Sequence, residues 1–163
     1  MTAQVASQKR RISPRTIAIL VVTGLMILIV ATNVAANRVA PTISSADQTN
    51  PELVAMGKIV YQARCASCHG ANLEGQVNWQ QPLSDGSMLA PPHDATGHTW
   101  HHNDRFLFET VKYGGQATAP VGRKNTMPAF QGQLSDGEIW ATLAYIKSTW
   151  PTELIERQKS GHN

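Results

Sequence analysis

Residues 17–36 (IAILVVTGLMILIVATNVAA) run for twenty positions without a charged side chain, with Leu, Ile and Val in most places. A helix of that length, at ~1.5 Å per residue, extends about 30 Å and matches the hydrocarbon core of a bilayer. The pattern predicts a transmembrane anchor over 17–36, with residues 1–16 as a basic segment before it. A cleaved secretory signal is the rival, with Val34-Ala35-Ala36 as a cleavage site, although its apolar part is usually only ~7–15 residues. Orientation is the same in both cases. Lys9, Arg10, Arg11 and Arg15 precede the run and Arg38 alone follows it closely, so the positive-inside rule leaves the N-terminus in the cytoplasm and exports the rest. The expected location is a single-pass protein of the cytoplasmic membrane with its folded part on the extracytoplasmic, periplasmic side.

Beyond the apolar run the pattern changes to helical periods separated by Pro- and Gly-rich breaks. Residues 37–50 have no apolar period and predict a linker. Asn50, Pro51 and Glu52 then supply a cap, a first-position proline and an acidic first turn, predicting a helix to about Arg64. Its apolar face is read from Val60 four residues after Met56 and Ala63 four after Ile59, with Gly57 and Tyr61 turned toward a partner helix. A second helix is expected from about Asp104 to Tyr113, capped by Asn103, stopped by Gly114-Gly115, and placing Phe106, Leu107 and Val111 in a core. The third starts at Ser135, where Glu138 makes a capping box. It continues through Ile139, Trp140, Leu143, Ala144 and Ile146 to about Ser148, before Pro151. Residues 71–102 are too long for a simple connection and predict a loop wrapped on a large cofactor. The folded domain is therefore set at 51–150, all-α, with 151–163 as a C-terminal tail.

Charge narrows the partners. The 163-residue chain has a net charge of +3, but from Arg38 onward ten Lys/Arg oppose eleven Asp/Glu, a balance of −1. The exported part lacks the basic stripe a nucleic acid requires. No nucleophile–base pair or paired carboxylates accompany the motifs, so neither catalysis nor a small-molecule substrate is expected.

The chemistry is concentrated in Cys65-Ala66-Ser67-Cys68-His69. In a C-x-x-C-H run the two sulfurs add to the haem vinyl groups and the histidine binds iron from the proximal side. A dithiol redox pair would sit in a βαβ pattern, which this region lacks. A zinc site normally draws on two paired motifs, and Cys65 and Cys68 are the only cysteines. One covalent haem c, with its iron, is the expected cofactor. Its second axial ligand is assigned to Met127, in Asn125-Thr126-Met127-Pro128-Ala129-Phe130, where Pro128 stiffens the approach of the thioether. Met88 is the rival sulfur, and Trp79, Trp100 and Phe130 are expected to line the pocket.

On these residues the chain resembles the class I, mitochondrial-type cytochromes c over about 51–150. The C-A-S-C-H-G motif, the M-P-A-F loop, and the Gly57/Tyr61 helix meeting a last helix with Trp140 and Tyr145 occur in that family's order. The resemblance implies three to five short helices around one haem, with the first and last crossing near Gly57. It also implies that the Pro82-Leu83 segment supplies the backbone carbonyl that accepts the His69 imidazole N–H.

His93, His98, His101 and His102 lie outside that pattern. Copper or zinc is one reading for four imidazoles within ten positions. Structural service in a Pro-rich loop beside the Asn103 cap is the other and is preferred. The expected function is one-electron transfer by a membrane-tethered monohaem cytochrome c between respiratory-chain components. A fixed subunit of an oxidase or dehydrogenase complex is the alternative, and a haem sensor or weak peroxidase a more distant one.

Overall fold

A computed structural model describes residues 13, 20–26 and 42–161, and the chain divides into two compact units, Met1–Pro41 and Thr42–Asn163. In the first, residues 20–26 are helical, with Leu20, Val21, Val22, Leu25 and Met26 exposed. The remainder of the anchor expected over 17–36 lies outside the described residues. Among the described residues no helix is long and apolar enough to cross a membrane.

The second unit is all-α: its described residues form no strand, only isolated bridges such as Pro82 with Met88. Helix α1 spans Pro51–Arg64, and Asn50 Oδ1 accepts from the amides of Glu52 at 3.0 Å and Leu53 at 3.2 Å, filling orphan donors of the first turn. Helix α2, Ala66–His69, follows after Cys65. A 3-10 turn at Thr99–His101 leads into α3, Asp104–Tyr113, where Asn103 Oδ1 accepts from Phe106 N at 2.8 Å. The stop expected at Gly114 is there, with φ of 86°, a conformation that favours glycine. The short α4, Gly115–Thr118, comes next, then α5, Asp136–Ser148, opened by the full Ser135/Glu138 capping box. Helix α6 spans Thr152–Ser160.

The main packing is α1 across α5. Leu53, Gly57 and Tyr61 are the buried positions of α1, with Met56 and Val60 packed beside them. The Ile59/Ala63 half of the expected apolar face is not part of the seam, for Ile59 is 72% exposed. The seam keeps the four-residue spacing but follows Leu53-Gly57-Tyr61, because the glycine allows closer backbone approach than any side chain on the other stripe. A Cβ at Gly57 would lie 1.8 Å from the Ala141 carbonyl oxygen of α5. Ile139, Leu143 and Ala144 of α5 join Leu53, Leu107 and Phe130 in one core, and Phe108 stacks on Trp140 at 4.4 Å.

Both ends of the domain extend beyond 51–150. Ala46 is buried in the core and Ile43 packs against it, so part of the expected linker belongs to the fold. Residues 151–163, expected as a tail, hold α6, whose Ile155 packs with Trp150, Tyr61 and Leu73. Gln158 Nε2 donates to His102 O at 2.8 Å and to Asp104 Oδ1 at 3.1 Å. The buried Lys147 ammonium pairs with the same Asp104 at 2.7 Å.

Tyr61, with no exposed surface, joins the helical frame to the motif: its hydroxyl donates to Gly70 O at 2.9 Å, with His69 O at 3.3 Å. Tyr61→Phe keeps the packing and removes this bond. The expected cost is about 1 kcal/mol of stability, read as a lower denaturant midpoint of the holo-protein.

Candidate functional site

Cys65, Cys68, His69 and Met127 all line one cavity of about 1110 Å³. That is slightly above the roughly 300–1,000 Å³ usual for cofactor and ligand sites. Its wall is mainly apolar, including Leu83, Met88, Leu107, Pro128 and Phe130. Helices α1 and α2 present the motif from one end. Tyr61 O accepts from Cys65 N at 2.8 Å, and Cys65 O accepts from His69 N at 2.9 Å, which carries the helical turn through the two cysteines to the histidine.

The buried His69 ring is held by its Nδ1–H, which donates to Pro91 O at 2.9 Å. That tautomer leaves Nε2 with a free lone pair for a metal, and the bond strengthens its basicity. Burial lowers the proton affinity of His69, opposed by the bond to Pro91, a balance that favours the neutral ring over the charged one. The acceptor corrects the expectation placed on Pro82-Leu83. Pro91 is brought under His69 by backbone pairing of the loop: Gln76 N donates to Ala90 O at 2.9 Å, and His93 N to Leu73 O at 2.8 Å. Pro82 instead bridges to Met88 within the same loop.

The thiols themselves argue against dithiol redox chemistry. Burial, reinforced by Cys68, pushes the Cys65 thiol up to about 11, whereas a redox-active pair requires a lowered value. The donor set suits thioether attachment with one neutral imidazole beside it.

Met127 reaches the cavity from the segment after α4. Its carbonyl accepts from Gly115 N at 3.0 Å, and its amide donates to Asn125 Oδ1 at 3.0 Å. Phe130 N donates to Val111 O at 3.1 Å and Gln131 N to Lys112 O at 2.9 Å, tying the loop to the end of α3. The backbone at Gly114 passes so near this loop that a Cβ there would lie 3.1 Å from Met127 O. The rival sulfur, Met88, lines the cavity too.

Trp79 and Phe130 line the cavity as expected, but Trp100 does not. It stacks on His101 at 3.6 Å, lies under the Arg157 guanidinium at 5.3 Å and packs with the Trp150 cluster; the arrival of α6 draws it away. The four loop histidines are engaged in ring contacts: His98 stacks on Trp79 at 5.3 Å, His102 on Phe106 at 4.4 Å, and His93 on His69 at 4.0 Å. No cluster of three or more metal-type side chains occurs among the described residues.

Comparison with known proteins agrees with the cavity's chemistry. Residues 54–150 match the Cytochrome c family model. The chain is 31% identical over 91 residues to the cbb3-type cytochrome c oxidase subunit CcoP of Azospirillum brasilense, covering 55% of this chain and 26% of that one. It is 33% identical over 101 residues to the thiosulfate dehydrogenase of Allochromatium vinosum, covering 61% and 32%. Against cytochrome c6 of Leptolyngbya boryana identity is 28% over 92 residues, covering 56% of this chain and 87% of that one. The chain thus spans about a third or less of the first two. No solved structure gives a significant match. Cys65 and Cys68, at the attachment spacing, carry one covalently bound haem c with its iron. With this cofactor in its helical frame, the chain belongs to the cytochrome c family.

Proposed function

We propose that this protein is a membrane-tethered carrier of single electrons between respiratory-chain components on the exported face of the cytoplasmic membrane. The observation that carries the reading is the convergence of Cys65, Cys68, His69 and Met127 on one largely apolar cavity. The haem supplies reversible one-electron Fe(III)/Fe(II) chemistry. The chain's own residues determine how it is used. Cys65 and Cys68 hold the cofactor covalently, His69 and Met127 provide the axial pair, and Leu107 and Phe130 keep water from the pocket.

The tether rests on the charge-free run at 17–36 and the four cations before it. An anchor confines a carrier to the membrane surface and raises its effective concentration near membrane complexes. Mass spectrometry of the mature protein is expected to find residues 1–16 in the membrane fraction. A mature chain beginning near Asn37 and released without detergent would reject the tether and leave the haem site standing.

A fixed subunit of an oxidase or dehydrogenase complex is the second reading. It is favoured by one observation: two of the relatives named above belong by name to such enzymes and match only over a small share of their length. Gentle detergent extraction separates the two readings. A carrier runs alone, whereas a subunit co-purifies with larger membrane proteins in fixed stoichiometry.

A further inference from the structure

The loop histidine nearest the iron-binding ring is His93, whose imidazole lies face to face with that of His69, centroids 4.0 Å apart and planes within 22°. It is anchored on several sides. Thr99 Oγ1, donating to Pro92 O at 3.4 Å, accepts from His93 Nδ1 at 2.8 Å in the proton assignment that satisfies both bonds. Its backbone is fixed by the bond from its own amide to Leu73 O and by Trp150 Nε1, which donates to His93 O at 2.8 Å. Tyr61 meets the ring edge-on at 6.4 Å.

A single hydrogen bond from Nδ1 to Pro91 O leaves the plane of His69 loosely defined, since χ2 of histidine has broad minima. A flat ring against one face removes that freedom. We propose that His93 is a positioning residue for the proximal ligand: stacked on His69 while Pro91 holds its edge, it fixes the imidazole plane and keeps Nδ1–H aimed at the Pro91 carbonyl. The plane sets how the imidazole π-system meets the iron orbitals, and the aligned bond increases electron donation from the ligand, which favours Fe(III). Loosening the ring therefore raises the potential.

The inference rests on His69 being the iron ligand, and the parent protein tests that premise first. In the oxidised full-length holo-protein, proton NMR should show the His69 ring protons strongly shifted by the iron; their absence overturns the premise and the proposal together. With the premise met, three variants test the stacking itself. His93→Phe keeps a flat ring without the polar bond, and is expected to retain the parent order and spread of the iron-shifted haem methyl signals. His93→Leu fills the space without a flat face, and should change that pattern and raise the midpoint potential. Thr99→Val frees the anchor and should move both in the same direction by less. A leucine variant with the parent pattern and potential, or phenylalanine and leucine variants displaced equally, overturns the proposal. If His93→Leu yields no holo-protein, the other two decide: Thr99→Val matching the parent overturns it, and Thr99→Val displaced beside an unchanged His93→Phe sustains it.

Discussion

Met127→Ala is expected to leave the haem covalently attached while abolishing the weak sulfur-to-iron absorption band at the red end of the oxidised spectrum. Attachment depends on Cys65, at the junction of α1 and α2, and Cys68 of α2, whereas Met127 comes from the loop tied to α3. The two sets of residues are positioned by different elements, so one can be removed without the other. Axial ligands and their surroundings move haem potentials over roughly 0.8 V, and a thioether raises the potential relative to a second imidazole. Loss of this sulfur should thus be the largest redox change available to a single substitution outside the attachment motif. Met127→His should restore a six-coordinate iron at a lower potential than the parent. The alanine variant should also bind carbon monoxide in its reduced form, which the parent resists. Retention of both the sulfur band and the parent potential would transfer the ligand role to Met88, the other thioether in the cavity.

Gly57→Ala should cause the largest loss of stability for the smallest chemical change. The added methyl would meet the Ala141 carbonyl oxygen at 1.8 Å and its carbon at 2.4 Å, so no side-chain rotation relieves the overlap. The helices must separate. Overpacking typically costs about 1–3 kcal/mol and occasionally more, and this overlap with a helix backbone belongs at the upper end. Alanine's better helix propensity returns about 1 kcal/mol. A net loss of roughly 2 kcal/mol or more should lower the melting temperature by about 8 °C or more in a domain of this size. Thermal unfolding of the oxidised holo-protein, followed by circular dichroism, measures it. An unchanged midpoint would mean that α1 and α5 have room to move apart at no cost, contrary to the packing described.

Features of the domain set by short stretches of chain are legible in the residues alone. The attachment motif is contiguous, and the caps Asn50, Asn103 and Ser135 each precede an apolar period, so local chemistry locates three helices and the haem-bearing cysteines. What long-range pairing decides is not legible in this way. Any residue can offer a backbone carbonyl, and the choice of Pro91 over Pro82 depends on Gln76 pairing with Ala90 across the loop. Helix α6 escapes the pattern because Pro151 reads equally as the end of one helix and the residue preceding another, and because only Ile155 and Gln158 of TELIERQKS are buried. Trp100 departs from its expected place for a related reason: Arg157, and Trp150 and Ile155 of the cluster it packs against, come from chain at or beyond the boundary that the pattern sets at 150. Within the loop, four histidines suggest a metal, but spacing alone does not distinguish coordination from stacking.

The crossing of α1 with α5 joins elements near opposite ends of the folded unit and has a consequence for the order of assembly. During synthesis Cys65, Cys68 and His69 emerge dozens of residues ahead of Asp136, where α5 begins. Until α5 arrives, α1 has no partner for the face around Gly57, and a helix of 14 residues is marginal alone. A chain released only as far as His69 would therefore lack the cavity wall that Met127 and Phe130 contribute. Closing the long loop between α1 and α5 is entropically the slow step of such a topology. A haem joined to Cys65 and Cys68 at that stage would give the N-terminal segment an apolar surface on which the later helices could condense.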